Sequence, residues 1–217
     1  MCASIAITIK KGEGYFEIKI MIGLILCGGQ STRMGMDKGL LQFNGISWAQ
    51  SAANKMAELN IPVYLSISEA QAENYAEIFP RTDLITDVSS LDIRGPLSGL
   101  LAAHLQHPLE DIFVLACDMP QMNSSVLQEL RDIYLRGEGF GAYVFKVGSR
   151  PEPVCAIYTA RSLGFILQQY NQQQLARHGL SQLLEKLNAC FIPVESAQEK
   201  YFGNFNSPSS LDSLGEG

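Results

Sequence analysis

The chain has 217 residues, of which 47% are hydrophobic and 18% charged, and a formal net charge of −6. That length suits one α/β domain with a sizeable core and no need of covalent staples, and the apolar share excludes a disordered chain. The acidic balance excludes a nonspecific grip on nucleic acid or on an anionic membrane, but it leaves a nucleotide substrate open, because a phosphate site needs only a few local donors.

Residues 1–20 read as an extension. Two alternating runs, 4–10 and 15–20, flank Lys11-Gly12-Glu13-Gly14, a pattern that fits a hairpin and equally a loose tail. One domain is expected over 21–217, with no repeat and no low-complexity linker. It opens with a continuous apolar run, 22–26, of the kind expected for a strand covered on both faces. Ser47 and Gln50 have capping-box spacing and begin a helix with Ala49, Ala52, Ala53, Met56 and Ala57 along one face. A strand over 62–67, a helix over 69–79 and a short strand over 84–86 follow. The next helix, 95–107, is expected to turn Leu97, Leu100, Leu101 and Leu105 inward.

Residues 112–116 form another buried-strand run. Ser124 is expected to cap a helix carrying Leu127, Leu130, Ile133 and Tyr134. Strands over 141–146 and 153–158, helices near 161–175 and 181–188 (the second capped by Ser181), and a strand over 190–194 complete the domain. A short C-terminal helix is expected to begin at 205–208. Strand–helix alternation of this kind predicts an α/β fold of three layers, built on a mostly parallel, doubly wound (Rossmann-like) sheet.

The five cysteines, Cys2, Cys27, Cys117, Cys155 and Cys190, are odd in number and form no C-x-x-C pair. They are expected to be free thiols in a reducing compartment. Neither they nor His104, His107 and His178 have zinc-site spacing. No apolar run approaches the roughly 20 residues that span a bilayer. The N-terminus also lacks the basic start and long apolar stretch of a signal peptide, so a cytoplasmic location is expected, with no membrane and no nucleic-acid partner.

In open α/β sheets, ligands bind beyond the carboxyl ends of the strands, and three polar clusters occupy such positions. The first is Cys27-Gly28-Gly29-Gln30-Ser31-Thr32-Arg33-Met34-Gly35-Met36-Asp37-Lys38-Gly39. Its glycines let a backbone turn tightly and aim amide N–H groups at an anion. Arg33 and Lys38 add positive charge suited to a leaving pyrophosphate. The order is neither a Walker A loop nor the dinucleotide-binding G-x-G-x-x-G. The second cluster, Cys117-Asp118-Met119-Pro120, puts a carboxylate at a strand end, where a hard cation such as Mg²⁺ takes oxygen ligands alongside phosphates. The third joins Thr86-Asp87 to Arg94-Gly95-Pro96-Leu97-Ser98-Gly99, a turn before a helix that can bring backbone close to a ring or a ribose.

Taken together, these clusters resemble the molybdenum-cofactor guanylyltransferases, within the wider group of MobA-like nucleotidyltransferases. Pro153-Val154-Cys155-Ala156-Ile157-Tyr158, Gly179-Leu180-Ser181 and Phe202-Gly203-Asn204-Phe205-Asn206-Ser207-Pro208 fit the same pattern, so the resemblance covers residues 21–211. It implies a sheet of the nucleotidyltransferase type and transfer of GMP from GTP to the molybdopterin cofactor. The products would be the guanine dinucleotide form and pyrophosphate, with Mg²⁺ as metal and molybdoenzymes or their chaperones as recipients. By position, it implies that Leu26, Cys27, Gly28, Gly29, Ser66, Asp87, Gly95 and Pro96 contact the nucleotide. Lys38 would bind phosphate, Arg33 would stabilise transition-state charge, and Asp118 would hold the metal. Asn204 and Asn206 would face the cofactor substrate. The family often carries Asn where this chain has Ser66, a shorter group that still donates and accepts, and Ala where it has Cys27. Other readings of the same residues are cytidylyl transfer to molybdopterin, transfer to a sugar phosphate, or nucleotide binding without turnover. A nicotinamide oxidoreductase is disfavoured by the missing glycine fingerprint.

Overall fold

A computed structural model of the protein describes residues 7–11, 16–28, 37–175 and 179–205. In chain order the elements are β1 (Ile7–Lys11), β2 (Phe16–Leu26), β3 (Gln42–Phe43), β4 (Ile46–Ser47), α1 (Trp48–Ala57), β5 (Val63–Ile67), α2 (Ala72–Ala76), β6 (Leu84–Thr86) and α3 (Pro96–Gln106). They continue with β7 (Asp111–Ala116), α4 (Ser124–Arg136), β8 (Ala142–Val147), β9 (Arg150–Tyr158), α5 (Ala160–Asn171), α6 (Leu180–Leu183) and β10 (Ala189–Pro193).

The main sheet runs β10-β8-β9-β7-β2-β5-β6. β2 lies between β7 and β5 and is parallel to both; β6 and β10 are also parallel to their neighbours, whereas β9 runs antiparallel between β7 and β8. The sheet is therefore mostly parallel, as predicted. β1 pairs antiparallel with Phe16–Ile20, and β2 continues unbroken across Ile20 and Met21 into the core. Residues 7–11 and 16–20 thus pair as antiparallel strands, and the second of them is the start of the central one.

Both faces of the sheet are covered, which is why its strands read as continuous apolar runs. On β2, Met21, Ile25 and Cys27 face one core with Met56, Tyr75, Leu127 and Leu130, from α1, α2 and α4. Ile22, Leu24 and Leu26 face the other, with Leu97, Leu101, Leu163 and Leu183 from α3, α5 and α6. This alternation with period two is what a pleated strand requires. No helix among the described residues is long and apolar enough to cross a membrane.

Several local expectations change. The helix expected over 69–79 is a 3₁₀ turn, Glu69–Gln71, followed by the five-residue α2. Asn123 rather than Ser124 caps α4, its side chain accepting from the Ser125 amide. Gly179, not Ser181, precedes α6. Leu105 is 45% exposed; Ala103 and His104 fill the inward positions instead. The C-terminal helix expected from 205–208 lies largely outside the described residues.

His104 is 5% exposed on α3, and its Nδ1 has no hydrogen-bond partner among the described residues. Burial holds its pKa below the ordinary value, with Glu110 opposing the effect. The unfolded chain therefore takes up a proton near pH ~6.5 that the fold resists. Stability present above that pH is lost as the pH falls through the depressed folded value. His104→Leu is expected to flatten the fall in denaturation midpoint between about pH 7.5 and pH 5.5; an unchanged fall contradicts this.

Candidate active site

The carboxyl ends of β7, β2, β5 and β6 lie side by side, and the residues that follow them continue the ladder. Cys117 N–H donates to the Leu26 carbonyl at 3.1 Å, and Asp87 N–H to the Ile67 carbonyl at 3.1 Å. All three predicted clusters therefore open on one edge of the sheet. The amides of Cys27 and Gly28 both donate to the Ser66 carbonyl, at 2.9 and 3.0 Å. They are engaged by the fold and not aimed at an anion. Leu26, Cys27 and Ser66 are each less than 9% exposed, their side chains turned into the cores, while Gly28 is exposed. The Ser66 hydroxyl occupies the space a Cβ on Gly99 would need, which locks β5 against α3.

Lys38 begins a 3₁₀ turn, Lys38–Leu40, that is capped by Asp37, whose carboxylate accepts from Gly39 N–H at 3.0 Å. Lys38 Nζ reaches Asp118 Oδ2 at 3.3 Å; the two side chains are 19% and 22% exposed. A cation from the first cluster and the carboxylate of the second thus meet, although 80 residues separate them. The Asp118 segment is tethered twice. Lys55, on α1, donates to the Pro120 carbonyl at 2.7 Å, and Phe205 N–H donates to the Asp118 carbonyl at 3.0 Å. The second bond brings the exposed Asn204 to the same edge. Phe205 is anchored in turn by an edge-on ring contact with Trp48, at 6.2 Å between centroids.

Asp87 accepts from the Ser98 hydroxyl at 2.8 Å, so the third cluster is tied to the first turn of α3. Gly95 precedes that helix with φ +79°, which favours glycine, and Pro96 takes its first position. Asp87, Gly95 and Pro96 are exposed at this edge. Gly29, Arg33 and Asn206 lie outside the described residues. Asp37, Gln71 and Tyr75 take part in the site although sequence reasoning gave them no role. Gln71 donates to Asp37 at 2.6 Å and Tyr75 to Asp37 at 3.1 Å. A signal for Gln71 was present in the Ser68-x-x-Gln71 spacing, a complete capping box here. At Ser47, the predicted box is only half formed: Ser47 caps the Gln50 amide, while the Gln50 side chain turns to Asn54.

Cys27 and Cys117 sit side by side at the ends of β2 and β7. Hydrogen bonding to Cys27 and burial both raise the Cys117 pKa, and burial raises that of Tyr75. Burial thus favours the protonated forms of Cys117 and Tyr75. No group of three or more His, Cys, Asp or Glu able to hold a metal occurs among the described residues. Asp118 offers one hard carboxylate, which suits a divalent ion that completes its shell with substrate phosphates and water. At the opposite edge, beside the amino ends of β7 and β8, a cleft of about 760 Å³ is lined by Lys19, Asp111, Glu138, Phe140, Arg161 and Lys186. None of the predicted residues lines it, and Asp111 there accepts from Tyr134 and from the Ala160 amide.

A Cβ on Gly39 would lie 2.0 Å from the Tyr75 hydroxyl oxygen. Gly39→Ala is therefore expected to lower the melting temperature. Gly39→Ala combined with Tyr75→Phe is expected to be more stable than Gly39→Ala alone, because contacting residues couple. A double variant no more stable than the single one contradicts this packing.

Comparison with known proteins bears on the family and the fold. A probable molybdenum cofactor guanylyltransferase from Flavobacterium johnsoniae is 28% identical over 88% of this chain and 94% of its own. Another protein of that description, from Nostoc, is 30% identical over 82% and 89%. The fold matches the crystal structure of molybdopterin-guanine dinucleotide biosynthesis protein A from Archaeoglobus fulgidus. The TM-score is 0.70 and the identity 24%, with 89% of this chain and 96% of that one covered. Residues 23–190 match the model of the MobA-like NTP transferase domain, and the chain belongs to that family of nucleotidyltransferases.

Proposed function

We propose that the protein transfers GMP from GTP to the molybdopterin cofactor, releasing pyrophosphate and forming the guanine dinucleotide. The observation that carries the reading is the Lys38–Asp118 pair at the carboxyl edge of the sheet. A metal–nucleotide substrate brings both signs of charge to one place, and this pair presents the complement of each. The description given to the Flavobacterium and Nostoc relatives supports the acceptor and the base. At Gly28 a Cβ would meet atoms of the described residues only at 3.7 Å or more, and its φ is not in the left-handed region. Packing among the described residues does not demand glycine there, whereas close approach of a phosphate or base would.

The acceptor's terminal phosphate, already ionised at neutral pH, attacks the α-phosphorus of GTP in line. The bond from that phosphorus to the α,β-bridging oxygen breaks, and pyrophosphate leaves. Lys38 turns from Asp118 to the departing phosphates and offsets their charge; Arg33 is assigned the same task. Asp118, released from Lys38, would hold Mg²⁺ through a carboxylate oxygen, and the ion when bound would offset the negative charge of the phosphates. Asp87 and the Gly95–Pro96 turn border the nucleoside, Leu26, Cys27 and Ser66 form the floor beneath it, and Gly29 faces the phosphates. Asn204 and Asn206 border the acceptor. Such transfer depends on positioning and charge stabilisation and needs no general base. The product would pass to molybdoenzymes or their chaperones.

Pyrophosphate release with molybdopterin, Mg²⁺ and GTP, CTP, ATP or UTP in turn is expected to favour GTP; preference for CTP would overturn the base assignment. Lys38→Ala and Asp118→Ala are each expected to lower turnover by about 100-fold or more, and near wild-type turnover in either removes that residue from the mechanism.

A further inference from the structure

We propose that Gln71 is a positioning residue that fastens together the two ends of the glycine-rich segment and so sets where Lys38 stands; the proposal rests on the nucleotidyl-transfer reading above. One side-chain amide makes four contacts. Its oxygen accepts from Ser68 N–H and from the Ser68 hydroxyl, each at 2.8 Å. Its nitrogen donates to the Cys27 carbonyl at 3.2 Å and to Asp37 Oδ2 at 2.6 Å. Cys27 directly follows β2 and Asp37 directly precedes the Lys38–Leu40 turn, so one NH₂ group joins these two positions with its two hydrogens. The oxygen side fixes that amide to the end of β5.

Asp37 passes this constraint on. Its other oxygen, Oδ1, accepts from Gly39 N–H at 3.0 Å and from the Tyr75 hydroxyl at 3.1 Å. The carboxylate therefore caps the turn that begins at Lys38. Turning the amide over would set its oxygen against the Cys27 carbonyl and the Asp37 carboxylate and its NH₂ against the Ser68 N–H, so three of the four contacts would be lost, and only the Ser68 hydroxyl, which both donates and accepts, could adapt. The arrangement holds the cation in register with Asp118 without touching substrate. A misplacement of about 1 Å at a phosphate-binding cation can cost on the order of 100-fold.

The test compares wild type, Gln71→Leu, Lys38→Ala and the double variant in the pyrophosphate-release assay, with amide exchange at Gly39 measured alongside. Gln71→Leu is expected to lower kcat by about ten-fold or more with a smaller change in the KM for nucleotide. In the Lys38→Ala background the same substitution is expected to add little, because the residue acts through Lys38. Gly39 exchange is expected to quicken while α1 amides keep wild-type rates. Additive losses, unchanged kcat, or exchange that quickens throughout the fold would overturn the proposal. Should Gln71→Leu not fold, Gln71→Glu, which keeps the size but replaces the donors to Cys27 and Asp37, carries the same comparison. If wild type turns over no nucleotide, the functional reading fails, and Gly39 exchange alone then decides whether the fastening exists.

Discussion

The register of β2 with its two parallel neighbours fixes where every charged group of the site can stand. Leu26 pairs with Ala116 on one side and with Ser66 on the other. The chain therefore leaves all three strands at the same height, and a shift along β2 would carry Lys38 away from Asp118. Burial on both faces holds that register, since slipping one residue would turn the apolar set of one core into the other. The binding edge is thus a consequence of core packing, and the loops inherit their positions from it.

Upon that frame the site is assembled by polar contacts of modest individual strength, each of the order of 1 kcal/mol. Their value lies in their arrangement. Lys55 and Phe205 hold the Asp118 segment at the Pro120 and Asp118 carbonyls, and Gln71 and Tyr75 hold Asp37. A half-buried ion pair then closes the gap between the two tethered segments. Alone, such a pair adds little to stability. It does keep a cation and a carboxylate paired at the edge, where the proposed metal–nucleotide substrate would exchange with them.

Much of this was legible in the sequence because buried parallel strands leave an unmistakable trace. The runs ending at Leu26, Thr86 and Ala116 put Cys27, Asp87 and Asp118 on one edge of the sheet, where the structure also has them, and Lys38 and Asp118 could be singled out as charged residues after such runs. The misses have physical reasons. Asn123 and Ser124 are both good caps, and only the backbone decides between them. Leu105 fits a helical stripe, but the smaller Ala103 and His104 lie closer to the core. The small β3–β4 hairpin went unread although Asn44-Gly45 is its turn, with φ of 52° and 81°; two-residue strands carry no alternation to mark them. The Ser68-x-x-Gln71 spacing marks Gln71 as a capping residue, but its link to the site was hidden for a different reason: its partners at Cys27 and Asp37 are 44 and 34 residues away, and only folding brings them together. The amides of Cys27 and Gly28 looked free to bind an anion because a glycine pattern does not reveal that a neighbouring strand's carbonyl takes them.

In the proposed reaction Lys38 and Asp118 serve one nucleotide at the carboxyl edge. A crystal structure with a non-hydrolysable GTP analogue and Mn²⁺, located by its anomalous signal, tests this most directly. The expected result is manganese on the Asp118 carboxylate, phosphates at Lys38 Nζ and the direct ion pair opened. A nucleotide seated in the opposite cleft beside Lys19 and Arg161, or at the carboxyl edge with Lys38 still bound to Asp118, would contradict it.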